Sequence, residues 1–232
     1  MSGGSKILIV EDQAPMLRFL RTTLIHNGFE ALEAADGSQA LEQASSWAPH
    51  LVLLDLGLPD IDGTEIICKL RERSDVPIIV ISARHDEHEK VEALDLGAND
   101  YVTKPFGAAE LLARIRVALR SGAVPGLLPT ARVFVLGELR IDFENRVVNL
   151  AGREVHLTPT EYKLLGVLVD RRGRAVGHAE LLREVWGPDA AEEVEYLRTF
   201  MRQLRYKLEP EPSQPRYLLT IPRVGYRLKS DA

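Results

Sequence analysis

Residues 1–120 predict an α/β domain built on a doubly wound, five-stranded parallel sheet, and residues 132–232 predict a separate α+β domain. Three observations carry this division. Short, almost wholly apolar runs alternate with amphipathic stretches through the first half. The alternation stops at residues 121–131 (SGAVPGLLPTA), an uncharged linker with two prolines and two glycines. Beyond it, short strand-like runs broken by turn residues lead into three helical patterns and a terminal hairpin.

Lys6–Val10 (KILIV), Leu51–Leu54 (LVLL) and Pro77–Ile81 (PIIVI) are the strong strands. Continuous apolarity is what a parallel sheet covered on both faces requires. Phe29–Ala34 and Tyr101–Thr103 are weaker candidates. Helical spacing marks Ala14–Asn27, Ser38–Trp47, Gly63–Arg73, Asp86–Leu96 and Ala108–Arg120, completing five β–α pairs. In the second half, Val133–Leu136, Leu139–Asp142, Arg146–Leu150 and Glu154–Leu157 predict a small antiparallel sheet. Thr158-Pro159-Thr160-Glu161 then supplies an N-cap, a proline at N1 and a glutamate at N3, which predicts a helix to about Arg171. Helices are expected over Ala179–Trp186 and Val194–Leu208. Tyr217–Leu219 and Tyr226–Leu228 flank Ile221–Gly225 as the closing hairpin.

The 232 residues are 45% apolar and 27% charged, a globular composition. The longest apolar stretches fall well short of the roughly 18–20 residues that span a membrane. MSGGSKILIVED shows no secretory signal, and the one cysteine, Cys68, has no partner for an internal disulfide. A soluble, cytoplasmic chain is expected, with Cys68 in the core. Net charge is −5, but it is unevenly spread. Residues 1–122 hold 12 basic against 19 acidic side chains, and the remainder 17 against 15. Between Tyr196 and Lys229 eight basic residues face only Glu209 and Glu211. Counterion release depends on such local excess, so this end is the candidate for nucleic acid.

In a doubly wound sheet, chemistry collects at the carboxyl ends of the strands, near the switch point. Glu11 and Asp12 follow the first strand and Asp55 ends the third, so the three acids are expected to converge. Repulsion among them calls for a hard divalent cation, and Mg²⁺, held by oxygen ligands and its own waters, suits it. Ser82 adds a hydroxyl after strand four and Lys104 an ammonium after strand five. Three acids, a hydroxyl and an ammonium suit a phosphoryl group carried on a carboxylate. A phosphatase of the haloacid-dehalogenase type would need an acid two residues after the nucleophile, where Gly57 stands. A dinucleotide site would need glycines in place of Glu11-Asp12-Gln13. His85 and His88 lie among acids and read as a solvated helix face.

ILIVEDQ, DLGLPDIDG, ISAR and GANDYVTKPF together resemble the receiver domain of two-component response regulators, a flavodoxin-like fold, over residues 5–120. The resemblance implies that Asp55 is the phosphoacceptor and that Asp12 ligates Mg²⁺ directly. It implies that Glu11 ligates through water and that the Gly57 carbonyl is a further ligand. Ser82 and Lys104 would bind the phosphoryl group, and Tyr101 would be the aromatic switch that turns inward with Ser82.

On Val194–Leu208, the residues Leu197, Phe200, Met201, Leu204 and Leu208 recur at core spacing. Arg198, Thr199, Arg202 and Arg205 are expected on the opposite face, flanked by Tyr196 and Gln203 and with almost no acids to pair with. Such a row fits a DNA major groove, while Arg223 at the hairpin tip and Arg227 would meet phosphate or the minor groove. LTPTEYKLLGVLV, LLREVWG and IPRVGYRL resemble the winged-helix effector domain of the OmpR/PhoB family over residues 133–229. By that resemblance Val194–Leu208 is the recognition helix and Thr220–Arg227 the wing, with Pro222-Arg223 replacing the usual Arg-Gly pair. The resemblance also implies a homodimer on phosphorylation. Val91 and Leu94 would form its apolar patch, and Lys90 with Glu110 and Asp100 with Arg114 would pair across the axis. A third pairing position falls on Asn99 and Ser121, both uncharged. DLGLPD and VWGP look most like the regulators of high-affinity potassium-uptake operons. The expected protein is a cytoplasmic transcriptional regulator, not an enzyme. Its partners would be a sensor histidine kinase and promoter DNA, with no membrane contact. The alternatives are the same architecture acting without obligatory phosphorylation and, more distantly, a metal-dependent phosphatase with an Asp nucleophile.

Overall fold

The computed structural model describes residues 4–83, 86–120, 133–171 and 173–229. The chain divides into two compact units, residues 1–119 and 120–232. The expected linker at 121–131 lies outside the described residues, as does His85.

In the first unit β1 (Lys6–Val10), β2 (Glu30–Ala34), β3 (Leu51–Leu54), β4 (Ile78–Ser82) and β5 (Asp100–Thr103) form one parallel sheet in the order β2-β1-β3-β4-β5. The helices are α1 (Ala14–His26), α2 (Gly37–Trp47), α3 (Gly63–Arg71), α4 (Glu87–Asp95) and α5 (Ala108–Arg120). Ile7, Ile9, Leu51, Leu53, Ile79, Ile81 and Val102 pack with Leu20 and Leu24 of α1 and Leu111 and Ile115 of α5. The alternate positions Leu8, Val10, Val52, Leu54, Ile78 and Val80 point to the other face and are equally buried. Both faces are covered, which is why the strands read as unbroken apolar runs.

Several helix starts are fixed by aspartates. Asp36 caps α2 through Gln39 N–H, Asp62 caps α3 through Thr64 N–H, and Asp86 caps α4 through His88 N–H. The end of α3 falls two residues earlier than expected, at Arg71. There the Arg71 guanidinium donates to the carbonyls of Gly97, Ser74 and Val76 and to Asn99 Oδ1. β4 begins one residue late, at Ile78, whose N–H donates to Asn99 Oδ1, and it includes Ser82, which pairs with Thr103 of β5.

In the second unit β6 (Val133–Leu136), β7 (Leu139–Asp142), β8 (Val147–Leu150) and β9 (Arg153–Glu154) form an antiparallel sheet in chain order. β9 is only two residues long, where Glu154–Leu157 was expected, since the chain must reach the N-cap at Thr158. The capping box is present: Thr158 accepts from Glu161 N–H, and Glu161 accepts from Thr158 N–H at 2.7 Å. Three helices follow, α6 (Pro159–Asp170), α7 (His178–Trp186) and α8 (Val194–Leu208), each touching the other two. The Trp186 ring packs on Phe200 at 5.1 Å and Tyr196 at 6.2 Å. β11 (Leu218–Ile221) and β12 (Gly225–Leu228) form the terminal hairpin. A third strand, β10 (Val176–Gly177), pairs with β12. Sequence pattern gave no sign of it, because two residues carry no periodicity. Gly225 is what admits this pairing: a Cβ there would lie 2.0 Å from Val176 O.

Candidate functional site

The ends of the first sheet bring the acids together. Glu11 N–H bonds Ala34 O, Asp55 N–H bonds Val10 O, and Lys104 N–H bonds Ser82 O, so each functional residue directly continues the strand ladder. Side-chain oxygens of Glu11, Asp12 and Asp55 lie within 4.8 Å of one another, with Glu11 and Asp55 buried and Asp12 exposed. Lys104 Nζ donates to Asp55 Oδ2 at 2.6 Å and to Glu11 Oε2 at 2.7 Å. Gly57 N–H donates to Asp55 Oδ1 at 3.1 Å, and Gln13 N–H to Glu11 Oε1 at 3.2 Å. A Cβ at Gly63 would lie 2.5 Å from Leu56 Cα and 2.9 Å from Asp55 O, so glycine lets α3 start close against this loop.

One lysine among three carboxylates leaves an uncompensated negative charge. Burial pushes the Glu11 carboxyl above its ordinary value, the Lys104 hydrogen bond opposes this, and Asp55 beside it adds to the rise. Burial works against the Lys104 charge, but hydrogen bonds to Asp55 and Glu11 outweigh it and raise its pKa above the ordinary lysine value. A cluster of oxygen donors with excess negative charge fits a hard divalent cation. Ser82 and Tyr101 are both buried, at 1% and 2% exposure.

The basic end is less uniform than expected. Arg198 and Arg202 are exposed on α8, but Thr199 is 3% exposed and belongs to the core, as does Tyr196. α8 packs against both α6 and α7, so its buried arc is wider than one stripe. Arg205 turns toward the hairpin: its Nε and Nη2 donate to Leu218 O, Nη2 also reaches Thr220 Oγ1 at 2.7 Å, and it lies over the Tyr226 ring. The row is not devoid of acids, since Arg198 pairs with Glu195. Arg223 is exposed at the hairpin tip with φ of +63°, and Arg227 is half-buried.

On the expected dimer surface one position, Leu94, is corrected, and others hold contacts within their own chain. Leu94 is fully buried and contributes nothing to an exposed patch, whereas Val91 and Lys90 are half-buried. Arg114 pairs within its own chain, with Asp100 at 2.9 Å and Glu110 at 3.2 Å. Asn99 is 2% exposed and held by Arg71 and Ile78 N–H, so it is not a rim position. Ser121 lies outside the described residues. His88 is exposed, as a solvated helix face requires. Cys68 on α3 is half-buried rather than fully in the core.

Three structural residues escaped sequence reasoning. Asp60 accepts from Gly37 N–H at 2.8 Å and Ser38 N–H at 3.0 Å, capping α2 from a distant loop. Glu209, buried, accepts from the N–H groups of Arg216, Tyr217 and Leu218 and so fixes the approach to β11. Lys207 donates to Glu161 at 2.7 Å, joining α8 to the capping box of α6. Asp60 and Lys207 act across 23 and 46 residues and Glu209 across seven to nine, all outside the spacings that local rules read.

Residues 7–116 match the response regulator receiver domain, and residues 152–228 match the C-terminal domain of transcriptional regulatory proteins. The chain is 45% identical to the transcriptional regulatory protein KdpE of Mycobacterium tuberculosis, covering 97% of this chain and 99% of that one. It is 46% identical to the KDP operon transcriptional regulatory protein KdpE of Escherichia coli, covering 96% and 98%. Among solved structures it resembles a RitR mutant (TM-score 0.77, 27% identity, covering 98% of this chain and 100% of that one). It also resembles DrrB of Thermotoga maritima, an OmpR/PhoB homologue (TM-score 0.53, 30% identity, 98% and 100%). Both KdpE proteins are transcriptional regulatory proteins, and this chain carries the matching C-terminal regulatory domain, which speaks against the phosphatase reading. Among the described residues no helix is long and apolar enough to cross a membrane. The acid pocket closes one domain, the basic helix and hairpin close the other, and the chain belongs to the KdpE-like response regulators of the OmpR/PhoB family.

Proposed function

We propose that Asp55 is the phosphoacceptor and that a partner sensor histidine kinase supplies its phosphoryl group in the cytoplasm. The carrying observation is Asp55 held between Lys104 and Gly57, with Glu11 and Asp12 within 4.8 Å. Mg²⁺, held by Asp12, Asp55, the Gly57 carbonyl and, through water, Glu11, would neutralise charge on the phosphoryl oxygens. Asp55 attacks phosphorus; the P–N bond to the kinase histidine breaks as the P–O bond to the carboxylate forms. Lys104, now shared by two carboxylates, would donate to one phosphoryl oxygen and Ser82 to another, with Tyr101 as the aromatic switch. The domains are residues 1–120 and 132–232, joined at 121–131. Phosphorylation favours a homodimer at paired promoter half-sites, where α8 enters the major groove through Arg198 and Arg202. Similarity to the KDP operon regulator supports potassium-transport genes as the target.

The test is labelling of the full chain with acetyl phosphate. The wild type should take up one hydroxylamine-labile phosphoryl group, and Asp55→Asn or prior chelation of divalent metal should abolish it. Stoichiometric labelling of Asp55→Asn would show that another residue is the acceptor.

A further inference from the structure

We infer that Tyr206 is a DNA-backbone contact of this protein, a neutral phenol donating to a phosphate at the end of the recognition helix. The inference rests on the reading of α8 as the DNA-facing helix and adds a contact that reading does not contain.

Tyr206 is 71% exposed, the most exposed large apolar side chain among the described residues. It stands four residues after Arg202 and eight after Arg198, so the three lie along one line of the helix surface. Both arginines are exposed. The neighbouring cations are used elsewhere: Arg205 is bonded to Leu218 O and Thr220, and Lys207 to Glu161. Their bonds fix α8 against β11 and α6, so the Tyr206 backbone is anchored on both sides while its ring projects outward. Over Val194–Leu208 four basic residues stand against one acid, Glu195. A polyanion is the partner that this charge selects.

Position decides which part of the polyanion Tyr206 meets. α8 runs from Val194 to Leu208, which places Tyr206 in its last turn. Recognition helices read base edges with their N-terminal residues, and their C-terminal ends lie against the backbone. A phenol there can donate one hydrogen bond to a phosphate oxygen while its ring covers the adjacent sugar. Tyrosine is among the residues that make such positioning contacts, which carry no sequence information. Being uncharged, it releases no counterion and contributes nothing to the salt dependence of binding.

This makes the contact separable from an arginine contact. Full-length protein would be titrated with a duplex it selects from a random pool and with a shuffled duplex of equal length, over a series of salt concentrations. Tyr206→Phe should weaken both by about three- to ten-fold, the scale of one neutral hydrogen bond, with no change in salt slope. Tyr206→Lys should recover affinity at low salt and steepen the slope by about 0.9. Wild-type affinity of Tyr206→Phe on both duplexes would overturn the inference. So would a loss confined to the selected duplex, which would make Tyr206 a base reader. Arg202→Ala in the same assay keeps the two readings apart. If it binds like wild type, the DNA face itself is misplaced; if it weakens while Tyr206→Phe does not, only the Tyr206 contact fails.

Discussion

At the scale of the residue, the acid pocket was legible because its members are fixed by strand ends. Glu11, Asp55 and Lys104 each follow an apolar run directly, and the ladder continues into them. The helix faces were less legible, because a helical wheel assumes one buried side. Thr199 is buried since α8 meets two helices, and Leu94 is buried on α4, which packs against β5. Arg223 shows what a single position can cost. Its φ of +63° is the left-handed region, which costs a non-glycine residue about 1–2 kcal/mol. Arg223→Gly should therefore raise the urea midpoint of the C-terminal domain while removing a wing cation. If Arg223 meets phosphate, the salt slope of DNA binding should fall by roughly one. An unchanged or lower midpoint would mean that the arginine side chain stabilises the hairpin by more than its backbone costs.

At the scale of the element, local caps were readable and distant ones were not. Thr158 and Glu161 announce α6 within four residues, whereas Asp60 caps α2 from more than twenty residues away. The Gly37 N–H, with further bonds from Ser38, holds the Asp60 carboxyl down to about 2 against an ordinary 3.8. A carboxylate depressed on folding contributes stability that is complete above its unfolded value and is lost as pH falls toward its folded one. Urea midpoints of the receiver domain should drop between pH 4 and pH 2, and Asp60→Ala should flatten that part of the profile. An identical profile in the variant would assign the acid sensitivity to other carboxylates. Arg205 is the counterpart in the second domain, a residue that reads as a DNA contact in sequence but ties α8 to β11. Arg205→Ala should lower the stability of the C-terminal domain by about 1–3 kcal/mol, the cost of stripping charged bonds from Leu218 O and Thr220. A pure base reader would leave that stability unchanged, so thermal or urea unfolding without DNA separates the two roles.

At the scale of the whole molecule, the two-domain plan was legible because periodicity and charge both change near residue 121. The pairing of Arg114 within its own chain was not, because sequence shows which residues can pair but not whether they pair within one chain. Arg114 and Asp100 are 8% and 6% exposed and already bonded, and Glu110 is on the same guanidinium. A dimer that used these pairs across its axis would exchange internal ion pairs for external ones, and the exchange yields little. Solvent-accessible pairs at the rim of such an interface, as Lys90 with Glu110 would be, are worth only about 0–1 kcal/mol each. Apolar contact through Val91 must then supply much of the affinity, without help from Leu94. Sedimentation of the beryllofluoride-treated chain should accordingly show a dimer whose dissociation constant changes by less than about ten-fold between low and moderate salt. Val91→Glu should abolish that dimer while leaving acetyl phosphate labelling intact. Arg114→Glu is a poor probe of the same surface. It strands the buried Asp100 carboxylate and should destabilise the receiver by about 3–5 kcal/mol, so a lost dimer would report unfolding. A Val91→Glu chain that still sediments as the wild-type dimer would place the interface on another face of the receiver.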